Sequence, residues 1–164
     1  MPGFQCGVCG KHHPHLPRDI AFRRPDPYFD VPEPERERRV QISDDLCIVD
    51  DTAYFIRGVL YLPVTDDHGQ FGWGAWAQVS DVDFERYLKA WDTNSDDSVP
   101  PFPGRLASAL DPYPGSSRLA VTISLRSGNQ RPVFTVVSED HPLGIDQRHG
   151  ISEEKAHSFV ARWV

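Results

Sequence analysis

Residues 54–79, YFIRGVLYLPVTDDHGQFGWGAWAQV, decide the fold. The segment 54–62 is rich in β-branched and aromatic side chains and reads as a strand that Pro63 ends. Asp66-Asp67-His68-Gly69 reads as a hairpin turn, and 71–79 as the returning strand. Strict alternation on that strand puts Phe71, Trp73, Ala75, Ala77 and Val79 on one face and Trp76 on the other. Such alternation is what a half-buried sheet shows, so Phe71, Trp73 and Trp76 are read as core rather than as a ligand-binding face. Arg57 interrupts the apolar run; a guanidinium there needs a carboxylate or a route to solvent, and Asp140 or Asp146 is the expected partner.

Working outward, 40–42 and 46–49 are short strands set off by Asp-rich turns. On the other side Ser80 caps a helix, with Asp83 in a capping-box relationship and Val82, Phe84, Tyr87, Leu88 and Trp91 as its apolar stripe. An acidic loop over 94–98 follows, then an expected strand within 102–110 and a proline turn over 111–115. The segments 119–125 and 133–137 alternate clearly and form a second hairpin. Beyond a polar loop over 138–150, Ser152 caps a final helix with Glu153 and Glu154 in its first turn, where the helix dipole favours them. Ala156, Phe159, Val160 and Trp163 make its docking stripe.

These elements predict an α+β fold: a mostly antiparallel sheet, a central and a C-terminal helix packed on it, and an N-terminal zinc-knuckle-like segment. Residues 1–164 are read as a single domain, with a metal knuckle and proline-rich arm over 1–39 and a sheet-and-helix body over 40–164. Prolines at 14, 17, 25, 27, 32 and 34 keep the arm from running in any long regular element, although 34–39 suits one short solvated helix.

The arm opens with Cys6-Gly7-Val8-Cys9-Gly10, followed by His12, His13 and His15. Two thiols two residues apart, with glycines that let the backbone curl, can aim both sulfurs at one tetrahedral zinc. A structural zinc needs four ligands. Cys6, Cys9, His13 and Cys47 are the assigned set, because a thiol from a core strand would tie the irregular arm to the sheet. The competing readings are a metal-free knuckle and a Cys47 that is simply a small core side chain. A redox pair fits less well, since such pairs sit where a strand enters a helix.

The chain has no run of about 18 apolar residues and no basic-then-apolar leader, which predicts a protein without a membrane span, in the cytoplasm. Three cysteines, two of them in one Cys-x-x-Cys pair, suit a reduced compartment. The net charge of −7 arises in the middle: 41–100 carries three Lys/Arg against twelve Asp/Glu. Such a segment repels phosphate backbones and steers toward a basic partner, so free nucleic acid is not the expected ligand, although plain solubility is the favoured reading of the charge. A nucleic-acid role would need a basic patch around Arg18, Arg23 and Arg24.

Phosphate loops, nucleophile elbows and dinucleotide fingerprints are absent, which removes several large enzyme classes. The stretch 138–150 nevertheless concentrates Asp140, His141, Asp146 and Arg148, the candidates for general acid–base work in an enzyme of unknown reaction. A structural use of the same residues, satisfying backbone groups, is the favoured reading.

Several short motifs recur together: Cys6-x-x-Cys9-Gly10 with His13, Asp45-Leu46-Cys47-Ile48, Phe55-Ile56-Arg57-Gly58, Trp73-Gly74-Ala75-Trp76, Pro100-Pro101-Phe102, and Asp140-His141-Pro142-Leu143 with Gln147-Arg148-His149-Gly150-Ile151. On these the chain resembles the uncharacterised bacterial family called domain of unknown function 2199, over nearly its whole length. The resemblance implies that His13 and Cys47 belong with the knuckle. It implies no activity. The family pattern has tyrosine where Phe102 stands and tryptophan where Arg105 stands, so the surface at that turn differs here. The expected function is a small zinc-binding interaction module, immunity- or antitoxin-like, with the enzyme as the alternative.

Overall fold

The hairpin forms and outruns its pattern: strands Ala53–Val64 and Gly69–Val79 pair antiparallel from Tyr54 opposite Val79 to Val64 opposite Gly69. The computed structural model describes residues 4–5, 12–13, 18–93, 99–127 and 130–161. In chain order the elements are β1 (Phe4–Gln5), β2 (His12–His13), β3 (Asp19–Ala21), α1 (Asp26–Asp30), α2 (Glu33–Arg39), β4 (Val40–Ile42), β5 (Leu46–Val49), β6 (Ala53–Val64) and β7 (Gly69–Val79). They continue with α3 (Asp81–Thr93), β8 (Phe102–Leu106), β9 (Ala120–Ser124), β10 (Val133–Val136), α4 (Pro142–His149) and α5 (Glu153–Ala161).

Pro63 does not end its strand. Its carbonyl accepts from the Ile151 N–H at 2.8 Å, so the backbone edge of Pro63 faces away from β7 and the missing N–H breaks no bond of the hairpin. The Thr65 N–H in turn donates to the Ile151 carbonyl at 2.9 Å, which fixes the start of α5 beside the hairpin tip.

The α+β expectation holds, and most pairings are antiparallel, but the sheet closes on itself. β7, β8, β9 and β10 are successive antiparallel neighbours, and β10 returns parallel to β6 with Val133 opposite Val59, giving a five-strand barrel. β3 adds in parallel along 72–74 of β7, and β5 and β4 extend the other side from β6. Closure is possible because β6 and β7 are long enough for each outer edge to serve more than one neighbour, and the inherent twist of the strands brings distant edges together. Five helices, rather than a central and a terminal one, surround it among the described residues.

The barrel interior is the main core. Ile56, Leu60 and Leu62 of β6, the five residues expected on one face of β7, and Leu106, Val121, Ile123, Phe134 and Val136 are all buried there. Trp76 points the opposite way as expected, into a second core with Val31, Cys47, Val49, Phe55 and Ala107. Its indole N–H donates to the Phe22 carbonyl at 2.9 Å and so holds the chain after β3 against the sheet.

The caps are where the sequence put them: the Asp83 N–H donates to Ser80 Oγ at 3.1 Å, and the Lys155 N–H to Ser152 Oγ at 3.0 Å. On α3 the stripe is Phe84, Tyr87, Leu88, Ala90 and Trp91; Val82 is 55% exposed and does not belong to it. Two positions before Phe84 is about 200° around a helix, so Val82 faces solvent. On α5, Ala156, Phe159 and Val160 dock as expected, while Trp163 lies outside the described residues, as does the acidic loop 94–98. The expected strand within 102–110 stops at Leu106, after which the Ala107 N–H turns to the Trp76 carbonyl at 2.8 Å.

Candidate functional site

The amino-terminal strands β1 and β2 pair antiparallel, with Phe4 opposite His13 and Gln5 opposite His12. Cys6, Cys9 and His15 lie outside the described residues. Of the four assigned zinc ligands, Cys47 alone has a described side chain. It sits on β5 opposite Phe55, 1% exposed, within the second core. Burial pushes its thiol up to about 11, with Arg24 pulling the other way. An apolar setting of this kind keeps a free cysteine protonated and inert, whereas coordination to a cation would deprotonate it. Three cysteines and one histidine are a donor set that zinc takes. Among the described residues no group of three or more His, Cys, Asp and Glu side chains gathers as a metal site.

The polar stretch 138–150 is not a loop. Its middle is α4, with His141 as the N-cap: Nδ1 accepts from the Leu143 N–H at 3.1 Å, and Pro142 occupies the first turn, where its missing N–H costs nothing. Histidine is an uncommon cap, which is why the helix start was not legible. Leu143 and Gly144 are buried, and Gly144 lets the helix lie directly on the Ser138 carbonyl.

Of the four catalytic candidates, three hold parts of the fold. His141 Nε2 lies 2.8 Å from the Pro114 carbonyl, and Arg148 donates to the carbonyls of Ser138, Gly144, Val136 and Val137. Asp146 accepts from Tyr113 Oη at 2.6 Å and from Lys155 Nζ at 2.5 Å. Burial, then the bond to Asp146, raises the Tyr113 phenol above its ordinary range. Asp140 is exposed at the start of the turn, its N–H donating to Ser138 Oγ at 3.3 Å.

Gln147, not among the four, is also structural. Its Oε1 accepts from the Val136 N–H at 2.7 Å and its Nε2 donates to the Phe134 carbonyl at 2.9 Å, completing the free edge of β10. Gln147→Leu keeps the packing but strands both backbone groups, so a loss of about 2 kcal/mol is expected. The check is a lower urea midpoint with an unchanged slope.

Arg57 is paired with neither Asp140 nor Asp146. It is 8% exposed, its guanidinium lies 5.9 Å from the Trp76 ring centroid, and its Nη1 donates to the Asp44 carbonyl at 3.0 Å. The strand neighbours of β6 decide this: Asp44 and Asp45 precede β5, which pairs with the very segment that carries Arg57, whereas α4 lies against another part of the barrel.

The acidic middle segment is likewise met in space by arginines from outside it. Arg18 bonds Asp67 at 2.6 Å, Arg39 bonds Asp50 at 2.7 Å and Arg131 bonds Asp45 at 2.8 Å. Arg18 holds the Asp67 carboxyl well below its usual range, at about 2. Arg131 is the one member of the basic set around Arg57 that no local pattern in the sequence singles out.

Fold and site together define an α+β protein built on a closed five-strand barrel, with a buried thiol in its second core and a two-stranded sheet, β1 with β2, near its amino end. The chain belongs to the bacterial family described as uncharacterised proteins conserved in bacteria, DUF2199, whose model matches residues 5–151. No curated protein and no solved structure matches it.

Proposed function

We propose that the protein is a small cytoplasmic zinc-binding module that recognises another protein. What carries the reading is the structural use of the 138–150 stretch: His141, Asp146 and Arg148, the side chains best suited to acid–base work, hold helix α4 to its surroundings. No helix among the described residues is long and apolar enough to cross a membrane.

In this reading Cys6, Cys9, His13 and Cys47 hold the zinc, which supplies a crosslink between the amino-terminal segment and β5. The partner is basic, as for an immunity or antitoxin-like protein, and meets the carboxylates of the middle segment that remain exposed, among them Asp44, Asp51, Asp66, Asp81 and Glu85. Arginines from the flanking segments already engage Asp45, Asp50 and Asp67, so the contact surface is narrower than the sequence charge suggests.

The test is a pull-down from native lysate at low and moderate salt, with zinc measured on the same chelator-free material. A basic protein retained at low salt and released as salt rises, with about one zinc per chain, is expected. Cys47→Ala should lower the zinc content. Recovery of no partner at either salt, or a wild-type zinc content far below one, would overturn the proposal.

A further inference from the structure

Beside the second core lies a cleft of about 490 Å³ lined by Arg23, Arg24, Ile42, Ser43, Asp44, Arg57 and Arg131. Four separate parts of the chain build it: the segment after β3, the end of β4 with the β4–β5 turn, β6, and Arg131 two residues before the last barrel strand. Of its lining, only Asp44 belongs to the proposed protein-binding surface, and none to the proposed zinc site.

Its charges do not balance. Four guanidinium groups line the cleft and two carboxylates, Asp44 and Asp45, stand near Arg57, an excess of two positive charges among these described residues. Asp45 is already held by Arg131 at 2.8 Å. Arg57 is the anchor. It is 8% exposed, its Nη1 donates to the Asp44 carbonyl, and its Nε, wholly buried, has no acceptor among the described residues. Burial, with Arg131 and then Arg23 close by, lowers its pKa, so like charges crowd a group that has already lost its water. Leaving such a donor unmatched is costly.

We infer that this cleft binds a dianionic phosphoryl group, as free phosphate or as the phosphate of a small monoester. Two surplus charges match a dianion better than a carboxylate. The planar guanidinium fork presents paired N–H donors to phosphate oxygens, and a pocket with several forks on different elements grips one group from several sides. Arg57 forms the floor, held by its contact with Trp76, while the exposed Arg23 and Arg24 form the rim. Asp44 at the mouth turns away the repeating charge of a polynucleotide, and Ile42 offers the organic part of a monoester an apolar contact.

The experiment is calorimetric titration of the full chain with inorganic phosphate and with glycerol phosphate. Acetate and a short single-stranded DNA serve as comparators. Arg23→Gln changes an exposed side chain and should leave the thermal midpoint in phosphate-free buffer unchanged while weakening phosphate binding about tenfold or more. Arg57→Lys keeps the buried charge but not the fork, and should weaken binding at least as much. Equal binding of the two phosphates assigns the site to the free anion; tighter binding of glycerol phosphate assigns it to an ester. Four results would overturn the inference: no heat with either phosphate, acetate binding as tightly as phosphate, DNA binding tighter than both, or an affinity unchanged in Arg23→Gln and Arg57→Lys.

Discussion

Trp73→Ala is expected to cost about 3–5 kcal/mol, a large part of the stability of a domain this size. The side chain is wholly buried on the inner face of β7. Its ring meets Phe71 at 5.4 Å and Phe159 of α5 at 5.4 Å, and stacks on Phe22 at 6.3 Å, so a single residue joins the barrel wall to the terminal helix and to the chain after β3. Removing it leaves a cavity bounded by other aromatics, which cannot collapse into the gap without leaving their own contacts. Trp73→Phe separates volume from polarity. The indole N–H of Trp73 is buried without a partner among the described residues, so phenylalanine loses packing but also removes an unmatched donor. It should cost clearly less than alanine. Urea titrations of the two variants make the comparison; equal losses would mean that Trp73 acts through something other than filled volume.

Gly58→Val should cost about 3 kcal/mol by the opposite route. A Cβ on Gly58 would stand 2.5 Å from two ring atoms of Phe134 and 2.7 Å from the Pro132 carbonyl oxygen. The ring can turn, but the carbonyl cannot retreat: it accepts from the Val59 N–H at 2.9 Å and is part of the bond that shuts the barrel. The side chain of valine therefore pushes on the seam itself. Phe134→Leu in the same chain should return part of the loss but not all, because it clears the ring and leaves the carbonyl in place. Denaturant midpoints of the single and double variants check this. Full recovery in the double variant would place the whole clash on the ring.

Both variants act at places where local pattern and tertiary closure meet, and they show how far the pattern reached. The two faces of β7 followed from alternation alone, since a pleated strand can put Phe71, Trp73, Ala75, Ala77 and Val79 nowhere but on one side. Ser80 and Ser152 were legible as caps because a cap is a contact within three residues. Pro63 misled because its effect depends on which edge of the strand faces a partner, and the partner, Ile151, comes from far along the chain. The helix over Pro142–His149 was hidden by a histidine cap and by polar side chains that turned out to satisfy neighbouring backbone. Arg57 was flagged as needing a carboxylate or a route to solvent, but the Asp44 carbonyl it meets is set by strand pairing and not by sequence distance.

By itself the sequence determined the α+β class, the long hairpin, its two faces, most of the strands and the capped starts of α3 and α5, because these depend on side-chain period and turn chemistry acting over a few residues. Only the tertiary structure decided that the sheet closes into a barrel, that Arg57 faces Asp44, and that Arg23, Arg24, Arg57 and Arg131 share one cleft. Those outcomes rest on which distant strand edges meet. Many pairings satisfy the same local pattern, and it is the packing of the whole interior that selects one.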